Sequence, residues 1–270
     1  MPELPEVETV VRTLGPELAG HRIADVVVRE ARLRGGVAPD LPDRLRGRLV
    51  TAIARRGKYL LATLDDHRVL LVHLGMTGRL TLSSGSPPWE RHDHVVVRLE
   101  DGRVLVYNDA RRFGRIAVIE ATAVEAETGL GLDPLAAAFT AEALLALTRG
   151  RRTSIKALLM DQRRIAGLGN IYVNEILFRA GVRPRRRAGR LTRAECARLA
   201  TATRAVLVGA IAHGGSSISD YRDGFERFGS YQFEHQVYDR AGEPCRRCGT
   251  AIRACVITGR SSYYCPRCQR

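Results

Sequence analysis

The sequence predicts an α+β protein with a β-rich N-terminal half, a helical C-terminal half and a small terminal module held by cysteines. Three observations carry this. Short β-branched and apolar runs recur between glycine-rich turns over residues 23–119. Beyond a break at 130–134 the apolar residues recur at helical spacing. At the end, Cys245-x2-Cys248 and Cys265-x2-Cys268 are separated by sixteen residues, the spacing of a four-thiolate metal site. The 270 residues suffice for about two cores without a disulfide framework. The expected boundaries are 1–130, 131–235 and 236–270.

Residues 3–14 read as a leading helix. Pro2 stands just ahead of it, Glu3, Glu6 and Glu8 favour the positive end of its dipole, and Gly15-Pro16 is the expected stop. β-type runs follow at 23–29, 49–54, 59–64, 69–74, 95–99, 104–107 and 116–119, with Asp101-Gly102 as a hairpin signal. So many short strands point to a sandwich or a barrel. Residues 130–134 look like a linker. Thr140 is the expected cap of a helix at 141–147, and Thr153 of the next one. The loop Ala166-Gly167-Leu168-Gly169-Asn170 precedes a helix at 171–179. Thr192 and Glu195 form a capping box. Cys196, Leu199, Ala200, Thr203, Val206, Leu207, Ala210 and Ile211 then give one buried helical face, ended by Gly214-Gly215. The polar, glycine-rich stretch 216–231 reads as a mobile loop.

Hydrophobic residues make up 45% of the chain and charged residues 27%, which argues against disordered, collagen-like and mucin-like classes. No run of about 18 apolar residues is present, and the acidic start lacks the basic, apolar character of a secretory signal. The expected location is the cytoplasm, where thiols stay reduced. Cys196 and Cys255 are therefore read as free thiols, with a disulfide pair as the alternative. A net charge of +14 and a pI near 10.3 point to a polyanion, nucleic acid first, although a solvated basic surface from a biased genome is the blander reading. Residues 151–190 carry eleven basic and two acidic side chains, and residues 244–270 carry six arginines and no acid, so phosphates are expected in this half. Of the 43 basic residues only Lys58 and Lys156 are lysines. Lysine can act as acid, base or nucleophile where arginine effectively cannot, so both are candidates for chemistry unless they are accidental survivors.

Cys245, Cys248, Cys265 and Cys268 complete a tetrahedral set, so they are expected to hold one structural zinc ion with no open position for catalysis. Arg260 stands beside Gly259 near the expected hairpin tip; spacing leaves it equally a phosphate contact or a solvated arginine. At the other end, removal of Met1 would expose Pro2 as a secondary amine. A terminal amine titrates near pH 8, against about 10.4 for lysine. That favours Pro2 as a Schiff-base nucleophile, with Glu3 beside it as acid or base, although Pro at a helix start is also simply a good first-turn residue. His92-Asp93-His94 is a weak metal pattern without further ligands.

Several motifs, read in order, carry a resemblance. They are Met1-Pro2-Glu3-Leu4-Pro5-Glu6-Val7-Glu8-Thr9, Arg56-Gly57-Lys58-Tyr59-Leu60-Leu61, His73-Leu74-Gly75-Met76-Thr77-Gly78 and His92-Asp93-His94. Asp109-Ala110-Arg111-Arg112-Phe113-Gly114, Leu159-Met160-Asp161-Gln162, Gly167-Leu168-Gly169-Asn170-Ile171-Tyr172 and Tyr264-Cys265-Pro266-Arg267-Cys268-Gln269 complete the set. Together they resemble bacterial formamidopyrimidine-DNA glycosylase. The resemblance implies an N-terminal β-sandwich, a helix–two-turn–helix domain and a zinc finger, with double-stranded damaged DNA held between the domains. It implies a bifunctional DNA glycosylase/AP lyase of base excision repair that removes 8-oxoguanine and formamidopyrimidines. Pro2 would be the nucleophile and Glu3 the proton shuttle, with Lys58 serving β-elimination and Arg260 δ-elimination. A guanidinium is a poor proton donor, so Arg260 is better suited to clamping phosphate. Met76, Arg111 and Phe113 would fill the void left by the flipped base, Arg111 meeting the orphaned cytosine. His73, His92, Arg152, Lys156 and Asn170 would contact phosphate or backbone, Asn170 from a helix start. Loop 217–231 would cover the extruded base. A monomer is expected, with no catalytic metal or organic cofactor.

The chain departs from the family pattern in places. Ala110 stands where proline is usual, Asp239 where glycine is usual, and the 220–228 stretch is aromatic and charged; these bear on lesion preference, not on the chemistry. Two rivals stay open. An endonuclease VIII-like glycosylase for oxidised pyrimidines is disfavoured by Leu4, where those enzymes usually have glycine, and by Arg111 with Phe113. A non-catalytic zinc-ribbon DNA-binding protein is disfavoured by Pro2-Glu3 together with Lys58.

Overall fold

The computed structural model describes residues 2–85, 89–218 and 221–270, and the chain forms two units. Met1, with its expected removal, and Ser219 and Asp220 of the expected loop lie outside the described residues. The first unit joins Met1–Thr128 with His213–Gln232, and the second joins Gly129–Ala212 with Phe233–Arg270. The segment at 213–232, placed by sequence with the helical half, thus packs on the β-rich unit.

In the first unit, α1 (Leu4–Leu18) runs through Gly15-Pro16, contrary to expectation. Pro16 lies in the last turn, where losing one N–H and crowding the preceding turn's carbonyl costs up to about 3 kcal/mol. Leu14 and Leu18 are both buried beside it, each contributing about 2 kcal/mol, so packing carries the helix one turn further. The chain continues through β1 (Ile23–Val28), α2 (Leu41–Leu45), β2 (Val50–Arg56), β3 (Tyr59–Leu64) and β4 (Arg68–His73). Next come β5 (Arg79–Ser84), β6 (Asp93–Leu99), β7 (Arg103–Asn108), β8 (Arg115–Glu120) and α3 (Val124–Thr128). The strands form two antiparallel four-stranded sheets, ordered β1-β6-β7-β5 and β2-β3-β4-β8. Val26, Val97, Leu105 and Tyr107 of one sheet share a core with Leu60, Leu70, Val72 and Ile116 of the other. This is the sandwich, not the barrel. Asp101-Gly102 does turn β6 into β7. β5 is absent from the sequence reading because only Leu80 and Leu82 of its six residues are buried, too few for an apolar run.

The second unit contains α4 (Ala141–Thr148), α5 (Ile155–Met160), α6 (Asn170–Ala180), α7 (Arg193–Ala212) and a hairpin of β9 (Arg253–Ile257) and β10 (Arg260–Tyr264). Thr140 caps α4, its hydroxyl accepting the Ala143 N–H at 3.1 Å. Ser154, not Thr153, caps α5: its extended backbone brings its hydroxyl under the Ala157 N–H at 3.2 Å. The Thr192–Glu195 capping box closes at 3.2 and 2.8 Å. The face of α7 predicted to be buried is buried from Cys196 to Ile211 except at Ala200, which is only half-buried; Ala202 is buried in addition. No helix among the described residues is long and apolar enough to cross a membrane.

Candidate catalytic and nucleic-acid-binding site

Pro2 and Glu3 lie buried at the head of α1. Glu6 fixes this end. One of its carboxylate oxygens accepts the Glu3 N–H at 2.8 Å and the other accepts the Ser216 N–H at 2.8 Å, while Tyr221 donates its hydroxyl to the Glu6 carbonyl at 3.2 Å. The sequence reading took Glu6 only as a partner of the helix dipole. Its second oxygen reaches across 210 positions, which no local pattern reveals. The described part of the expected mobile loop is laced as well. Ser217 Oγ accepts the Gly229 N–H, and Gly224 donates to Thr13 of α1.

Lys58 occupies the tight turn between β2 and β3, where Arg56 pairs with Tyr59. Arg55 ties this turn to α1, donating to the Gly57 carbonyl at 3.2 Å and to Glu8 at 2.9 Å. Burial alone would raise the Glu8 carboxyl, but hydrogen bonds from Arg12 and Arg55 prevail and hold it below the usual range. Lys58 is itself buried. Burial, and next the charge of Lys58, push His73 down to about 4. His73 is therefore a neutral imidazole at physiological pH. Its Nδ1 accepts the Gly75 N–H at 3.0 Å, which makes Nε2 the donor. It can meet DNA as a hydrogen-bond donor, not as a cation.

Met76, Arg111 and Phe113 ride on two loops joined by one carboxylate. Asp109 is fully buried; its Oδ1 accepts from Thr77 Oγ1 at 2.6 Å and Oδ2 from the Gly114 N–H at 2.8 Å. Thr77 Oγ1 in turn accepts the Arg111 N–H at 3.1 Å. Gly75 has φ +61°, and a Cβ there would lie 2.5 Å from the Phe113 carbonyl carbon, so only glycine lets the loops touch. The result is an exposed Phe113 ring with the Arg111 guanidinium 4.7 Å from its centre, and a half-exposed Met76. Phe113 exposed at 44% beside an arginine is what an intercalating wedge needs and what a core residue avoids. His92 is half-exposed, and His94 is spent on the Asp109 carbonyl at 2.6 Å. Among the described residues only the four cysteines converge as a group of three or more metal-ligating side chains, and no third ligand joins His92 and His94.

The second unit holds the other candidates. Arg152 and Arg260 are exposed. Asn170 begins α6, and its buried side-chain oxygen has no hydrogen-bond partner, so that oxygen is not committed to the fold. The loop before it is laced by Gln162, which donates to the Leu168 carbonyl at 2.7 Å and accepts the Gly167 N–H at 2.9 Å. Lys156 corrects the sequence reading. It is fully enclosed, and its ammonium donates to the Ser261 carbonyl at 2.6 Å and to Ser262 Oγ at 2.7 Å. So placed, it faces β10 and not a phosphate.

The thiols of Cys245, Cys248, Cys265 and Cys268 all lie within 4.8 Å of one another, with Cys245–Cys268 at 3.9 Å and Cys248–Cys265 at 3.5 Å. Four sulfurs at about 2.3 Å from a tetrahedral zinc are about 3.8 Å apart, so the donor set fits. Cys196 and Cys255 are free thiols, as expected. Glu175 of α6, a carboxylate the sequence reading passed over, accepts the N–H groups of Gln236, Val237 and Tyr238 at 2.9, 3.0 and 2.9 Å and so fixes the chain leading to the cysteines. Asp239, standing where glycine is usual, has φ +58° and accepts from the Tyr263 hydroxyl at 3.1 Å. Asp is one of the few residues that tolerate this conformation, so the departure leaves the turn intact.

Comparison with known proteins matches the whole of this arrangement. The N-terminal domain of formamidopyrimidine-DNA glycosylase matches residues 1–116, its H2TH domain residues 130–222, and a zinc finger found in FPG and IleRS residues 242–270. A formamidopyrimidine-DNA glycosylase of Thiobacillus denitrificans is 50% identical over 272 residues, covering all of both chains. Among solved structures, a complex of a Lactococcus lactis FPG variant with a Fapy-dG containing DNA superposes with TM-score 0.92 at 36% identity over all of both chains. The Lactococcus lactis Fpg bound to an abasic site containing DNA does so with TM-score 0.92 at 34% identity over 99% of each. With its sandwich, its helical module and its four-cysteine end all matched at full length, the chain belongs to the formamidopyrimidine-DNA glycosylase family.

Proposed function

We propose that the protein is a bifunctional DNA glycosylase/AP lyase of base excision repair that removes 8-oxoguanine and formamidopyrimidines from double-stranded DNA. The observation that carries this reading is the head of α1, where Glu3, next to the buried Pro2, is held by the Glu6 carboxylate while Arg55 ties the Lys58 turn to Glu8 of the same helix. A base inside the stack shields its sugar carbon, so the damaged nucleotide is flipped out first. The Pro2 nitrogen, freed of Met1, attacks C1′, and the base leaves with the bonding pair and a proton. Glu3 moves protons as the sugar ring opens to the imine. The imine acidifies the C2′ proton; Lys58 serves its transfer, and the 3′-phosphate departs with the C3′–O3′ pair. Loss of a C4′ proton then expels the 5′-phosphate with the C5′–O5′ pair, Arg260 clamping phosphate, and water releases the sugar from Pro2.

Met76 and Phe113 fill the gap and Arg111 meets the orphaned cytosine, offsetting an unstacking cost of a few kcal/mol. His73 as a neutral donor, His92, Arg152 and Asn170 contact phosphate or backbone. The modules at 1–130, 131–235 and 236–270 carry catalysis, DNA binding and the zinc finger, one structural zinc per chain shapes the last, and the chain works as a cytoplasmic monomer without a catalytic metal.

The test is borohydride reduction of the protein on a duplex carrying 8-oxoguanine opposite cytosine. An adduct mapped to Pro2 is expected, and it disappears when an extra residue precedes Pro2. An adduct elsewhere, or binding without an adduct, rejects the reading. Faster processing of thymine glycol or dihydrouracil moves the assignment to oxidised pyrimidines.

A further inference from the structure

Lys156 is one of two lysines among 43 basic residues, and its side chain is fully enclosed. A buried charge is held only where good geometry repays its desolvation. Here the ammonium, from the second residue of α5, donates to the Ser261 carbonyl at 2.6 Å and to Ser262 Oγ at 2.7 Å. Ser262 is itself fully buried and donates to the Arg260 carbonyl at 3.3 Å. The next residue, Tyr263, donates its N–H to Asn174 Oδ1 of α6 at 2.8 Å, and Asn174 is held in turn by the Asn170 carbonyl at 2.6 Å. Three successive residues of β10, Ser261 to Tyr263, are thereby registered against α5 and α6, and Arg260 is tied to them through Ser262. Lysine is the residue this needs: a compact charge with three rotatable donors. The planar five-donor fork of arginine does not fit so tight an enclosure, which gives a physical reason for the missing replacement in an arginine-biased chain.

We propose that Lys156 is a positioning residue, its ammonium fixing the Arg260 end of β10 on α5 so that Arg260 stays in register for the departure of the second phosphate. The proposal rests on the role given to Arg260 above. It also separates Lys156 from the phosphate contacts, because a side chain committed to β10 has no donor surface to offer DNA.

The test compares zinc-loaded full-length wild type, Lys156→Met and Arg260→Ala in single turnover on the 8-oxoguanine duplex. It reads the ratio of β,δ-cleaved to β-cleaved ends on a denaturing gel. Methionine keeps the length of the side chain and removes its donors. The ratio compares two fates of one intermediate, so any loss in folding, binding or base removal cancels from it. Displacing a positioned group by about 1 Å can cost up to about 10²-fold, and Lys156→Met is expected to lower the ratio by about tenfold or more. If Arg260→Ala lowers the ratio and Lys156→Met leaves it at the wild-type value, the positioning role is overturned and the role of Arg260 survives. If Arg260→Ala leaves it at the wild-type value, the role of Arg260 falls and takes the proposal with it. Should Lys156→Met fail to retain zinc, Ser262→Ala, which deletes only the hydroxyl between Lys156 and Arg260, decides by the same ratio, an unchanged value overturning the proposal.

Discussion

Asp109 decides where three functional side chains stand by bracing the two loops that carry them. Its carboxylate takes hydrogen bonds from Thr77 and from the Gly114 and Arg111 N–H groups. Asp109→Asn keeps the shape but turns one acceptor into a donor facing a donor; a loss of about 2 kcal/mol is expected, and Asp109→Ala loses more. Urea denaturation measures both, and an Asn variant as stable as wild type would contradict the brace. His73 makes a pH prediction. Its folded pKa is about 4, below the ordinary 6.5. Above pH 6.5 the ring is neutral in both states. As pH falls from 6.5 toward 4 the unfolded chain takes up a proton that the folded chain refuses, so stability falls by about 1.4 kcal/mol per unit for this group. His235, also held near 4 by burial, adds the same slope. A His73→Asn variant should lose about one proton's worth of this slope when denaturation midpoints are followed from pH 7 to 4; an unchanged slope would assign the effect elsewhere. The exposed members of this site were legible from their motifs, while Asp109 as their brace was not. Its link to Thr77 spans 32 positions, and a lone aspartate carries no periodicity.

Elements divide along the same line between local and distant causes. The caps at Thr140 and at Thr192 with Glu195 could be read because donor and acceptor lie three residues apart. The four-cysteine module could be read because its chemistry is written in two short spacings. Pro16 inside α1 and the strand β5 could not, because burial against distant strands decides them. The terminal module also shows where metal and protein share the work. Its thiols supply the donors, but Glu175 with its three N–H partners and Asn174 with Tyr263 fix it to α6 without any metal. Chelation should therefore release one zinc per chain and remove hydrogen-exchange protection from the knuckles around Cys245–Cys248 and Cys265–Cys268. The amides bonded to Glu175 should open later. Simultaneous opening of both sets would mean that the zinc alone organises the segment.

At the scale of the whole molecule the net charge of +14 suggested a polyanion, but the charge is not equally available along the chain. In the β-rich unit many arginines are spent on neighbouring acids, as in Arg55–Glu8, Arg56–Glu125, Arg103–Glu17 and Arg115–Glu127. Arg152 and Arg260 are exposed and make no ion pair among the described residues. Each cation that neutralises a DNA phosphate releases about one counterion, so the slope of log K against log salt counts such contacts at about 0.9 each. The slope for damaged duplex should be steep, and Arg152→Ala should flatten it by about one unit on damaged and undamaged DNA alike. In an Arg260→Ala background, Lys156→Met removes the same formal charge from the same stretch of sequence but should leave the slope where it was, because that ammonium is enclosed against β10. A further drop of one unit in that background, where Arg260 can no longer contribute, would return this lysine to the phosphate contacts.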